Sequence, residues 1–118
     1  DASFGSAMTV SANPGVAPGL HLSWDATTCA GKNNHLLFGG LGGVATYSTA
    51  GAVCGLGPAG SYDWTGVPEA NLWFLVVGDN AASTEGTWGT DSSGAPRNGG
   101  VASGYCGFTA RNNAGTCP

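Results

Sequence analysis

Apolar and polar positions alternate along much of this chain. In "DASFGSAMTVSA", Ala2, Phe4, Met8 and Val10 fall on one side of an extended backbone, and Ser3, Gly5, Thr9 and Ser11 on the other. That period of two predicts a strand with one buried face. "NPGVAPG" follows, a stretch that bends and resists regular structure. In "GLHLSWDA", Leu20, Leu22 and Trp24 point inward against His21 and Ser23, and Asp25 ends the strand. "NNHLLFGGL" predicts a second strand around Leu36 to Phe38, and "GVATYSTAGAVCGL" one or two more, with Val44, Thr46 and Tyr47 as β-formers. "GSYDWTGVP" puts Tyr62 and Trp64 on one face and closes at Pro68. "ANLWFLVVGDN" is the strongest strand, apolar on both faces and therefore central in its sheet. "EGTWGTDSSG" predicts a strand through Thr87 and Trp88 that ends in a turn, and the tail predicts a short hairpin around Tyr105 to Phe108.

Roughly seven or eight strands at spacings of about ten residues give the cadence of a β-sandwich. No helical period competes with it. Composition agrees: 22 of the 118 residues are glycine, and charged residues make up only 8%. Exposed faces of long helices would need more Glu and Lys than that, so the chain reads as all-β. Its length suits one domain. The expected division is a strand at 1–12, a Pro/Gly tether at 13–19 and a sandwich with a cysteine-bearing tail at 20–118.

Net charge is −4, with three basic residues in the whole chain. Without a basic patch, nucleic acid and anionic lipid are poor partners. No apolar run approaches the ~20 residues that cross a bilayer, so no membrane insertion is expected. Four cysteines in a small, loop-rich domain favour an oxidising compartment. Together with a first residue, Asp1, that fits signal-peptide removal (an expression boundary would look the same), this predicts a secreted, extracellular or cell-surface protein. Of the three possible pairings, Cys29–Cys54 with Cys106–Cys117 is preferred, because each joins segments that neighbouring strands would bring together.

Several stretches taken together resemble a fibronectin type III-like domain of secreted and cell-surface bacterial proteins. They are "LSWDATTCAGKNNHLLFGGLGG", the second cysteine, and "NLWFLVVGDNAASTEGTWGTDSSGAPR". The resemblance covers residues 18–98. It implies an immunoglobulin/fibronectin III-like β-sandwich with Trp24 in the core and a Cys29–Cys54 bridge. It implies no activity, since no catalytic residues attach to the family. Family members usually end soon after the "DSSGxxR" stretch and follow a large upstream region. Here a tail continues to Pro118 and only the tethered strand precedes, which suggests a self-contained role.

Candidate chemistry is sparse. "GLGPAG" matches G-x-G-x-x-G at Gly55, Gly57 and Gly60, but Pro58 sits inside it and no helix follows, so tight-turn chemistry explains these glycines. His21 and His35 are too few for a zinc site and read as surface histidines. No catalytic residue is assigned: Ser92 and Ser93 lie in a turn without an elbow sequence, and Glu69 and Glu85 sit in no motif. Asp79, Asn80 and Asp91 read as turn caps in preference to calcium ligands. Neither a metal nor a cofactor is expected. The aromatic residues offer one binding argument. Trp24 and Trp73 read as core, whereas Trp64 and Trp88 are possible carbohydrate contacts if exposed, although core packing is the favoured reading.

The first strand then decides the expected function. Seven tether residues from Asn13 to Gly19, if extended, span up to about 23 Å, enough to reach an adjacent subunit. Donated there, Ala2, Phe4, Met8 and Val10 would fill pockets while the backbone completes a neighbour's sheet. A head-to-tail contact that does not close yields a filament. Low charge, many small residues and disulfides suit a durable fibre, and abundant Ser and Thr offer sites for O-linked glycans. The expectation is a bacterial extracellular filament subunit whose partners are copies of itself, and not an enzyme. The alternative is a monomeric carbohydrate-binding or spacer module, in which a glycan would be the ligand.

Overall fold

The computed structural model describes residues 6–13, 15–28 and 31–114. Among them are eight strands: β1 (Thr9–Ala12), β2 (Leu20–Ser23), β3 (Asn33–Gly40), β4 (Gly51–Val53), β5 (Ser61–Trp64), β6 (Leu72–Asp79), β7 (Thr84–Glu85) and β8 (Ala110–Arg111). They form a three-stranded sheet in the order β1-β2-β5 and a five-stranded sheet in the order β4-β3-β6-β7-β8. The class is all-β, with helix confined to short 3-10 turns at Leu41–Thr46 and Arg97–Gly100.

The larger sheet is built on β3 and β6, antiparallel along their whole length from Asn33 opposite Asp79 to Gly40 opposite Leu72. Successive residues of a strand face opposite sides. Leu36, Phe38, Phe74 and Val76 therefore look toward the smaller sheet, while Leu37, Trp73, Leu75 and Val77 look away from it. Between the sheets Leu22, Leu36 and Trp64 are fully buried, with Phe38 and Phe74 packed against them. The Trp64 ring lies 5.2 Å from that of Phe38 and 5.9 Å from that of Phe74. On the far face Leu37, Val77 and Trp88 form a second cluster with Tyr47, Trp73, Leu75 and Tyr105. The chain after β7 folds back as a layer of coil over that face. This is why β6 is apolar on both sides.

Three local expectations are corrected. Val44, Thr46 and Tyr47 do not form a strand: Leu41–Thr46 is a 3-10 turn closed by Tyr47 at φ 53°, and Ser48 N–H donates to the Gly43 carbonyl. Thr87 and Trp88 are also outside any strand, because the extended run ends at Glu85 and passes through Gly86 to Gly89, the latter at φ 79°. Tyr105 to Phe108 form no hairpin. The tail's strand β8 instead runs parallel to β7, with Glu85 opposite Arg111.

The turn reading of "GLGPAG" matches the backbone: Gly55, Gly57 and Gly60 lie at φ 71°, 75° and 74°. A Cβ on Gly60 would also stand 3.0 Å from the Trp24 carbonyl oxygen.

Candidate functional site

Two features stand out. One is a buried set of charged side chains at one end of the larger sheet. His35 lies opposite Val77 on β3, and its register brings it beside Asp79 on β6. His35, Asp79 and Glu85 are completely buried, and the Arg111 side chain is 1% exposed. His35 Nδ1 lies 2.9 Å from Asp79 Oδ2. Asp79 also accepts from Asn33 Nδ2 at 3.1 Å and from the Ala81 N–H at 2.8 Å. On the other side of the ring, His35 Nε2 is 3.3 Å from Glu85 Oε2, an ion-pair distance without good hydrogen-bond geometry. Glu85 accepts from the Ser103 N–H at 2.8 Å, the Ser103 hydroxyl at 2.7 Å and Arg111 Nε at 3.3 Å. The Arg111 guanidinium lies 4.1 Å from the Trp88 ring centroid, and Phe108 stacks 4.5 Å from the His35 ring. Ser103 donates to Glu85 and not to the imidazole, so the set is not arranged as a nucleophile and its base. Its geometry ties β3, β6, β7, β8 and the coil layer together.

Burial pushes the Glu85 carboxyl up, but the contacts from His35 and Ser103 outweigh it, leaving the group below its ordinary value of 4.5. For Arg111, burial pulls the guanidinium down and Glu85 opposes it. Asp25 and Asp91, at the surface, are held below the ordinary 3.8 by hydrogen bonds, led by the Thr28 and Ser93 hydroxyls respectively. A carboxyl whose folded value is depressed stabilises the fold above its unfolded value, and that stability is lost as pH falls through the folded value. Urea midpoints are therefore expected to hold steady from neutral pH down to about 4.5 and then to fall with further acidification. A midpoint unchanged between about pH 5 and 2.5 would contradict this linkage.

The second feature is a pair of incomplete strand edges. β1 pairs with β2 of its own chain, Val10 opposite Leu22 and Ala12 opposite Leu20. Residues directly opposite share a face, so Val10 lies on the side of the sheet that carries the core. Yet Leu22 is 0% exposed and Val10 is 45% exposed, with Met8 at 38%. All four residues of β1 are exposed. The strand lies at the rim of the core, and neither Met8 nor Val10 belongs to the packed cluster around Leu22 and Trp64. Ala2 and Phe4 lie outside the described residues.

The other edge belongs to β6. β3 covers one side of it completely, but β7 pairs with it only at Asp79 opposite Glu85. Gly86 N–H donates to the Gly78 carbonyl, 2.7 Å away, on that side. Alternate residues point their backbone groups to alternate edges, so Leu72, Phe74 and Val76 aim theirs the same way as Gly78. Among the described residues, no backbone segment pairs with them there. Leu72 to Val76 are only half-buried, as expected where a neighbouring strand is lacking.

The remaining candidate residues are placed as follows. Trp64 and Trp88 are 2% and 3% exposed, which removes them as carbohydrate contacts; their ring area is spent on the two cores. His35 is not at the surface, whereas His21 is, paired with Asp63 at 2.7 Å. Cys54 is bonded to Cys106, so neither the Cys29–Cys54 nor the Cys106–Cys117 bridge forms. The physical reason is the fold-back of the tail, which lays Cys106 beside the end of β4. Cys29 and Cys117 lie outside the described residues. Asn80 and Asp91 accept from backbone N–H groups of their own turns, at Ala82 and Ser93 respectively.

An open groove of about 500 Å³ runs past Ser6, Thr9, Ser23, Trp24 and Ser61. Its carboxylate, Asp25, is committed to hydrogen bonds from Ser6, Thr27 and Thr28. Among the described residues, no group of His, Cys, Asp or Glu is disposed to hold a metal ion, and no helix is long and apolar enough to cross a membrane. Comparison with protein families, curated proteins and solved structures finds no match for this chain.

The buried network had a faint sequence signal: His35 and Asp79 border the apolar runs of β3 and β6. The open edge had one too, because nothing charged and no proline interrupts "LWFLVVG".

Proposed function

We propose that this chain is the structural subunit of a secreted bacterial filament and that it polymerises by donating its N-terminal strand to a neighbouring copy. On this reading the sandwich is fibronectin type III-like, which the facing strand orders β1-β2-β5 and β4-β3-β6-β7 support. The role is structural and not enzymatic. One observation carries the proposal. β1 is held at home chiefly by its backbone pairing with β2, while the apolar side chains of Met8 and Val10 stay 38% and 45% exposed. A strand so weakly packed loses little beyond its ladder bonds on leaving. It gains burial if a neighbour covers those side chains. The uncharged stretch from Ala2 to Ala12 fits such a transfer, since strands that must avoid edge pairing usually carry charge or proline.

The test is a double substitution, Met8→Asp with Val10→Asp, compared with the natural chain by negative-stain microscopy and sedimentation. The natural chain is expected to form fibrils, and the variant to remain as single particles. Because both positions are partly exposed and lie outside the packed core cluster, the variant should stay folded and lose about 1 kcal/mol or less per site. Fibrils that form equally well with both aspartates, or a natural chain that never associates, would overturn the reading.

A further inference from the structure

We infer that the open edge of β6, from Leu72 to Val77, is the acceptor for the N-terminal strand of a second copy. This rests on the strand-donation reading above and identifies the other half of the contact. β6 is the most hydrophobic strand of the molecule and lies in the middle of its sheet. It is nevertheless hydrogen-bonded along its length on one side only. The strand that should flank it, β7, contributes Thr84 and Glu85 and then leaves the sheet after Gly86. What remains is a row of N–H and C=O groups at Leu72, Phe74 and Val76 directed at a lane in which no described backbone segment pairs with them. Half-buried apolar side chains line that lane on both faces.

An edge of this kind is a hazard unless it is charged, broken by proline, bulged or covered. From Leu72 to Gly78 there is no charge and no proline. The other edge strands differ. β4 is three residues long, and β5 carries Asp63, paired with His21. β8 has Arg111 anchored inward on Glu85. Apart from β1, the proposed donor, the β6 edge alone is unprotected among the described strands, and it is long and apolar.

The chain itself supplies an occupant of matching chemistry. Phe4, Ser6, Met8 and Val10 recur at every second position, so an extended stretch from Phe4 to Val10 presents one mostly apolar side. Its seven residues are one more than the six of the lane, and it is uncharged, as the lane is. In the home pairing Met8 and Val10 remain 38% and 45% exposed. In the lane beside Leu72, Phe74 and Val76 they would face the space between the two sheets, next to the Leu36 and Trp64 cluster. Glu85, held by Ser103, Arg111 and His35, stops the lane at Asp79 and fixes how far a donated strand can run. Donor and acceptor lie on different surfaces of one chain. The contact is therefore heterologous, and it propagates head to tail as a filament where its rotation does not close a ring.

Hydrogen exchange on the full chain separates this inference from the reading beneath it. Amide exchange is compared between assembled material and dispersed single subunits. The N–H groups of Leu72, Phe74 and Val76 are expected to slow by about 100-fold or more on assembly. Replacing the natural chain by the Met8→Asp/Val10→Asp variant should abolish that slowing. If assembly requires Met8 and Val10 but the new protection falls on β4 or β5 and not on these three amides, strand donation stands and the β6 acceptor is wrong. If the chain does not associate, or associates regardless of Met8 and Val10, both fail together.

Discussion

Glu85→Ala is expected to lower the free energy of unfolding by about 3–5 kcal/mol, since removing one member of a buried ion pair leaves its partner charged and uncompensated. Glu85 is completely buried and meets Arg111, His35 and both the N–H and the hydroxyl of Ser103. Alanine would strand the guanidinium over Trp88 and leave two donors of Ser103 without an acceptor. A domain of this size holds only about 5–15 kcal/mol in total, so the variant should unfold at a much lower urea concentration, read by circular dichroism or tryptophan fluorescence. The paired replacement Glu85→Met with Arg111→Met should cost less than Glu85→Ala alone, because two apolar side chains of similar volume leave no buried charge. If Glu85→Ala moves stability by less than about 1 kcal/mol, the network does not hold the sheet as described. The consequence reaches the proposed assembly as well, because Asp79 opposite Glu85 is the one pair that ends the open edge of β6.

Removing the Cys54–Cys106 bridge by Cys54→Ala with Cys106→Ala is expected to cost about 4 kcal/mol. The two cysteines are 52 residues apart in sequence, and the loop-entropy relation assigns about that much to a closure of this length. The bridge fastens the coil layer to β4, and that layer carries Tyr105, Phe108 and Ser103 onto the far face of the larger sheet. Loss of the bridge should therefore be felt first there. Limited proteolysis is expected to cut the bridge-free chain in the segment around Val101, which is 64% exposed, before the rest of the sandwich opens. Equal denaturation midpoints with and without the bridge would show that Glu85, Arg111 and the second apolar cluster hold the layer unaided.

Much of the architecture was legible residue by residue. The alternation of Leu20 and Leu22 with His21 and Ser23 predicts β2, and that of Tyr62 and Trp64 predicts β5. The continuous apolar run of β6 marks it as central, and it is. These features depend on a period of two that travels with the local chain, so neighbouring residues alone determine them. The glycine turns at Gly55, Gly57 and Gly60 are local in the same sense.

What escaped that reading depends on residues far apart in sequence. Whether Trp64 and Trp88 face water or core is decided by which sheet closes over them. His35 has the look of a surface residue until β6 and β7 bring Asp79 and Glu85 to its two ring nitrogens. Cys54 is equally able to reach several partners on paper, and the fold-back of the tail selects Cys106. The unpaired edge of β6 is the clearest case. Its apolar run is written in the sequence, but the early departure of β7 that leaves it open is a matter of tertiary placement. By itself the sequence determines which segments are strands and which faces are apolar, because side-chain alternation is local. Only the tertiary structure decides which edges are paired, which charges are buried and which apolar faces remain uncovered, because each of those outcomes is a meeting of distant segments.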